Sequence, residues 1–484
     1  MYSIELTTGE AQLRADLESY RNFPVANWDS YEFFGLQEGD EYQKALREQT
    51  KQAFLQDEVR NPQIYYPKLA NSSMALALEI AEERLIETKS KIDVGDAEPL
   101  RAGLASDIVA AKHLEIVLLQ ISQDMQDGTI SAEDRTHASE LFSLINDDVY
   151  GELEQDRFLG LWNGVLERAH DVTHDKAAPT LEREAAEYIL EHTGETTGIA
   201  AKEPVRVDDE VIGALRSTLL EVNADILSCI PELDGRKITF DEFMQMFRDA
   251  HATRQTGWNV KVEPGKASVD TRQSEETTYI GSGRIMPNVE GSATVLLHEN
   301  GVHVERRIRG DNTGDPLLAG VGLEGYLASE EGMATIFEQI YRGKQTIAGT
   351  HYYIALGLAR GLDNSSLRDF RDVFEIDWRR RILEKFVEAE VVTDADVESC
   401  KSSAYTTCFR IFRGTPCDIP GMVYTKDQSY FMGNQKMWEI FTNISQLSPE
   451  EQKDEFEFLL AAKFDPTNPD HCKIVERSVE ATTL

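Results

Sequence analysis

The chain has 484 residues, 41% hydrophobic and 28% charged, with 15 Pro and 32 Gly, a balance that excludes disordered, collagen-like and disulfide-scaffold proteins and leaves ample length for a core in two lobes. Its 49 Lys+Arg against 86 Asp+Glu give a formal net charge of −37, which disfavours nucleic acid and anionic membranes as partners because both bind through basic patches. Five cysteines without a C-x-x-C pair, an opening MYSIELTTGE without a basic-then-apolar pattern, and no apolar run of ~18 residues predict a reduced, cytoplasmic and monomeric protein.

Apolar residues recur at three- and four-residue steps from Ser72 to Ile92 and from Arg101 to Met125, and again through Ala138–Leu144, Asp156–His170 and Leu181–His192. That spacing predicts helices, so residues 1–205 read as a helical lobe. Thr239 with Glu242 suits a capping box ahead of a helix with Phe240, Phe243, Met244 and Phe247 on one face. From Gly257 the pattern shortens to alternating runs around Trp258–Val262, Ala267–Val269 and Tyr279–Gly281, which predict two or three short strands. Ser292–Arg309, closed by Gly310, and Ser329–Arg342, closed by Gly343, read as helices. Most of the remainder, Ile354–Arg360, Leu367–Val391 and Glu450–Lys463, reads as helical too. The expected class is α+β and helix-rich, with a small sheet beside one helix of a second unit, 206–484. Arg306–Arg309 and Arg379–Arg381 are the compact basic runs, each read as a solvated helix face. The segments around Asp127-Gly128 and Asp234-Gly235 resemble calcium loops but lack the oxygen set, and read as turns.

The chemistry concentrates at His298-Glu299-Asn300-Gly301-Val302-His303, H-E-x-x-x-H on a predicted helix directly after the strands. Two imidazoles flanking a carboxylate suit a zinc centre, but at about 100° per residue, positions i and i+5 lie about 140° apart on a regular helix and cannot share one ion. A π-bulge restores the shared side, and Asn300-Gly301 is the place for it because Gly tolerates distorted backbone. A third ligand comes from Glu330-Glu331, adjacent carboxylates placed in the first turn of the next helix; spacing alone leaves open which of them. His170-Asp171-Val172-Thr173-His174 is a rival site with regular helical spacing.

The segments TVLLHENGVH, LASEEGMA, CFRIFRGTP and VYTKDQSYFMGN together resemble the microtubule-associated tyrosine carboxypeptidase family of zinc metallopeptidases, over approximately Gly257 to Asn434. The resemblance implies one zinc ion held by His298, His303 and Glu331, Glu299 as the catalytic carboxylate, and release of a C-terminal aromatic residue from a peptide or protein. Such chemistry needs a stabiliser for the oxyanion, for which Tyr424 and Tyr430 are the candidates, and a cation for the terminal carboxylate, for which Arg410 and Arg413 come first and Lys426 next. The net charge points away from acidic tubulin tails and toward another peptide substrate. An aminopeptidase or endopeptidase on the same site, or a metal-retaining protein without activity, are the alternatives.

Overall fold

The periodicity described above becomes helix nearly throughout. The computed structural model describes residues 7–23, 26, 28, 30–35, 41–127, 131–232, 236–320, 322–389 and 392–483; the glycines of the two calcium-like segments, Gly128 and Gly235, lie outside them. The anticipated helices are present at Ser72–Asp93, Pro99–Asp127, Ala132–Tyr150, Gln155–His174 and Thr180–His192. The capping box forms as expected: Thr239 accepts from the Glu242 backbone while the Glu242 side chain accepts from the Thr239 backbone, opening the helix Phe240–Thr253. Three strands follow, β1 (Asn259–Glu263), β2 (Val269–Arg272) and β3 (Thr277–Gly281). β3 lies in the middle, parallel to β1 and antiparallel to β2, with Thr271 opposite Thr278. The molecule is therefore helix-rich with one small sheet.

The apolar side chains gather into three clusters. One joins Leu17, Leu85, Val109 and Phe142 to Leu317, Leu323, Phe464 and Ile474. A second joins Phe54, Phe158, Trp162 and Ile189 to Tyr353, Phe370, Ile382 and Phe412. Both draw on residues from each side of position 205, so the N-terminal helices do not close a core of their own, and the expected division at 205/206 is not a packing boundary. The third cluster, with Phe243, Phe247, Leu296, Val302, Phe337, Trp438 and Phe441, carries the histidine motif and the helix Tyr326–Arg342.

That helix runs against Gln428–Ile444 at unusually close range. A Cβ on Gly433 would sit 1.8 Å from the Ala328 carbonyl oxygen, and one on Gly332 would sit 2.2 Å from the Gly433 carbonyl oxygen. Backbone cannot yield as a side chain does. Gly433→Ala is therefore expected to cost at least the 1–3 kcal/mol typical of overpacking (roughly), read by chemical denaturation; wild-type stability would refute this account of the contact.

One arginine of each basic run is buried, against the expected solvated face. Arg306 has no exposed surface and donates to the carbonyls of Ala462 and Phe464, each at 2.7 Å. Arg380 is equally buried, paired with Asp377 at 2.6 Å and Glu384 at 2.5 Å. The charges of these two serve internal acceptors. Among the described residues, no helix is long and apolar enough to cross a membrane.

Candidate metal centre

The helix that carries the motif changes pitch within it. Val289–His298 is α, Glu299–Val304 is π, and Glu305–Asn312 is α again, running two residues past Gly310. The wide turn falls on Asn300-Gly301, as the spacing of the histidines requires, and its extra residue rotates His303 back toward His298. Their ring centroids are 5.0 Å apart. Glu331 completes the group: one ligand atom each from His298, His303 and Glu331 lie within 4.8 Å of one another. His298 Nε2 stands 4.0 Å from Glu331 Oε2.

These residues suit a zinc ion on three counts. Two imidazoles and one carboxylate form a donor set that leaves a fourth tetrahedral position open. Each ring is fixed through Nδ1, His298 by Glu338 at 2.7 Å and His303 by Glu330 at 2.8 Å, which directs Nε2 inward as supported metal ligands require. Glu331 Oε2 is a buried acceptor without a hydrogen-bond partner, an arrangement that costs free energy until a cation or donor meets it. Burial alone would lower the His298 pKa, but the hydrogen bond it donates to Glu338 and the charges of Glu299, Glu338 and Glu331 outweigh it and raise it to about 9. The carboxylates of Glu299, Glu338 and Glu331 thus surround His298 with negative charge.

The adjacent carboxylates have separate tasks. They stand in the second turn of the helix, which begins at Tyr326 and not at Ser329, so the helix dipole does not explain them. Glu330 points away from the ligand group into a buried network, accepting from Lys463 Nζ at 2.5 Å and from Arg306 Nη1 at 3.4 Å. Burial works to raise its pKa, yet Lys463, His303 and Arg306 hold it down at about 2. Glu330 stays charged and orients His303; Glu331 faces the open side.

Glu299, also buried, accepts a 2.5 Å hydrogen bond from Thr271 Oγ1. Thr271 comes from β2, which is how the small sheet contributes to the site. Behind the wide turn lies His251, 3% exposed. Its Nδ1 accepts from the Asn300 amide at 3.3 Å and its Nε2 pairs with Thr278 at 3.2 Å, an arrangement suited to the neutral imidazole. Burial pushes its pKa down to about 4. Because the unfolded chain takes up this proton first, near pH 6.5, the stability due to neutral His251 is complete above that pH. It is lost as pH falls toward 4, by about 3 kcal/mol in all. Denaturation of wild type and His251→Gln at pH 7 and pH 4.5 checks this: the variant should lose less stability between them, and equal losses would refute it.

The substrate-side residues divide. Tyr430 lies near the centre: its hydroxyl is held well above its usual range, first by the charge of Glu331 and then by burial. Arg410 donates to Tyr430 at 3.5 Å and to Tyr352 at 3.1 Å, and its fork is occupied by Asp427 at 2.6 and 2.9 Å. Arg413 and Lys426 both stand over the Tyr31 ring, at 4.4 and 4.6 Å from its centroid, and Arg413 pairs with no carboxylate among the described residues. Tyr424 has no exposed surface and packs among Tyr31, Phe34, Phe142 and Tyr150.

The rival histidines extend their helix as far as His174, whose Nδ1 donates to the His170 carbonyl at 2.7 Å; both are exposed and neither belongs to a metal-ligating group among the described residues. Several supporting residues escaped sequence reasoning. Glu338 was within reach of it, since it lies two helical turns beyond Glu331 and so on the same face. Thr271, Lys463 and Tyr352 carried no signal, because only the folded chain brings them near. The chain matches no protein-family model, no curated protein and no solved structure.

Proposed function

We propose that this protein is a zinc-dependent peptidase that removes the last residue, preferentially an aromatic one, from a peptide or protein. The observation that carries the proposal is the meeting of His298, His303 and Glu331 within 4.8 Å beside a buried Glu299 held by Thr271. Zinc bound there supplies a Lewis acid for the scissile carbonyl and brings the pKa of water toward neutrality.

The protein's own groups do the rest. Thr271 fixes one oxygen of Glu299, leaving the other to take a proton from the attacking water and to pass it to the departing amine. Tyr430, whose hydroxyl feels the charge of Glu331, would be the donor to the developing oxyanion. Arg410 stands over the Tyr430 ring and pairs with Asp427, while Arg413 and Lys426 stand over the Tyr31 ring. Three such cations in a chain of net charge −37 suit a terminal carboxylate better than a free amine. Arg413, with no carboxylate partner among the described residues, is the cation best able to take it.

Incubation of the zinc-loaded protein with a peptide library, followed by mass spectrometry, tests the proposal. Loss of one residue from the C-terminal end is the expected result. Internal cuts, trimming from the amino end, or no cleavage at all would each overturn it.

A further inference from the structure

A wide turn in a helix is not self-sustaining. Widening the spiral leaves backbone groups without their ordinary i→i−4 partners, and a regular α-helix stands ready to replace it unless neighbouring groups favour the wider form. In this protein those neighbours are gathered at one place, the C-terminal end of the helix Phe240–Thr253. Arg254, the residue that closes that helix, reaches with Nη1 to the carbonyl oxygen of Asn300, 3.4 Å away, and to Glu305 Oε2, 2.7 Å away. The first contact lies inside the π turn and the second at the residue where α geometry resumes. Its other nitrogens are anchored behind: Nε and Nη2 form a fork with Asp225 at 2.8 and 3.0 Å, and Nη2 also donates to Asn223 Oδ1 at 3.3 Å.

Two further contacts act on the same turn. The Asn300 side chain is held by His251, one helical turn before Arg254. Gly301 faces Asn223, and a Cβ there would sit 3.1 Å from Asn223 Oδ1. The Asn-Gly pair inside the motif is thus fitted to this bracket, its amide gripped on one side and its missing side chain leaving room on the other.

We propose that Arg254 is a positioning residue for the metal centre: by bridging Asn300 and Glu305 from an anchor on Asp225 and Asn223, it holds the helix in the wide turn that points His298 and His303 at the same ion. Arg254 touches neither ligand and no substrate. Its effect on metal binding operates through backbone pitch alone, since an α turn in its place separates the two rings by about 140°. The inference rests on the zinc-centre part of the proposed function and is independent of which bond is cut.

The experiment measures zinc affinity of the full-length chain by competition with a chromogenic chelator, and amide hydrogen exchange of the segment 296–306 in the metal-free protein. Arg254→Ala should weaken zinc binding by about 10- to 100-fold, the range for supporting groups around metal ligands, and should speed exchange in 299–304. Arg254→Lys, which keeps a charge without the fork, should lie between. Arg371→Ala, which removes a buried arginine bonded to Phe54, Val59 and Arg60 far along the chain, controls for general destabilisation and should leave zinc affinity unchanged. Should Arg254→Ala fail to fold, Asp225→Ala, which removes the carboxylate anchoring the Arg254 fork, takes its place with the same two readouts.

Unchanged zinc affinity and exchange in a folded Arg254→Ala or Asp225→Ala would overturn the proposal. So would an equal loss of affinity in Arg371→Ala. A wild-type chain that binds no zinc would overturn the metal reading instead; the exchange measurement still decides whether Arg254 holds the turn.

Discussion

Glu299→Gln is expected to reduce kcat for release of the C-terminal residue by about 10²–10⁴-fold, the contribution of a well-placed general base, while leaving bound zinc in place. Gln keeps the shape and the acceptor that Thr271 Oγ1 needs at 2.5 Å, so the local structure survives. What it loses is the ability to take up a proton. KM should change little, because in the proposed mechanism Glu299 would act on the water and the leaving group, and removing an interaction made only in the transition state lowers kcat and kcat/KM together. The check is steady-state kinetics on a peptide with a free C-terminal Tyr, with zinc content measured in parallel. Full activity in the zinc-loaded variant would show that another group does the proton transfer; loss of zinc would show Glu299 to be part of the ligand set.

The adjacent pair Glu330 and Glu331 should separate folding from metal binding. Glu330 is 3% exposed and shares its charge with Lys463, Arg306 and His303, themselves buried. Glu330→Gln leaves two buried cations without their counter-charge. Breaking a buried pair in this way costs about 3–5 kcal/mol. Glu331 faces the opposite situation, since its Oε2 is buried without a partner. Replacing it by Gln should leave the stability of the metal-free protein within about 0.5 kcal/mol of wild type, yet weaken zinc binding by more than the roughly 100-fold upper bound for supporting residues. Denaturant titration without zinc and chelator competition with zinc, run on both variants, give the two values for each. The reverse pattern, a stable Glu330→Gln that loses zinc beside an unstable Glu331→Gln that retains it, would exchange their roles.

Much of the site was legible in the chain. The H-E-x-x-x-H spacing demanded a widened turn at Asn300-Gly301, and Glu299–Val304 is that turn. Helix periodicity located Ser72–Asp93, Pro99–Asp127 and Thr180–His192 to within a few residues, because a one-sided apolar stripe is a local property of sequence. The Thr239–Glu242 capping box and the Gly343 cap were equally local, each depending on residues no more than a turn apart.

Other expectations failed where distant partners decide the outcome. Arg306 and Arg380 read as surface charges because Arg is seldom buried, but Ala462, Phe464 and Glu330 for the one, and Asp377 for the other, give them partners inside. Tyr424 had the composition of an oxyanion donor, yet packing with Tyr31, Phe34 and Phe142 buries it. The division at residue 205 followed a change in pattern, and side chains from both of its sides share two of the cores.

By itself, the sequence determined the residue types at the candidate site, the i, i+5 spacing of its histidines and therefore the need for a helix wider than α if both are to face one point, since these follow from covalent order and helical pitch. Only the tertiary structure decided which of Glu330 and Glu331 faces the centre, and that Arg254 brackets the turn and Thr271 steadies Glu299. Those outcomes depend on where helices cross, which the Gly332–Gly433 contact and the packed cores set, and a crossing is a sum over many residues far apart in the chain.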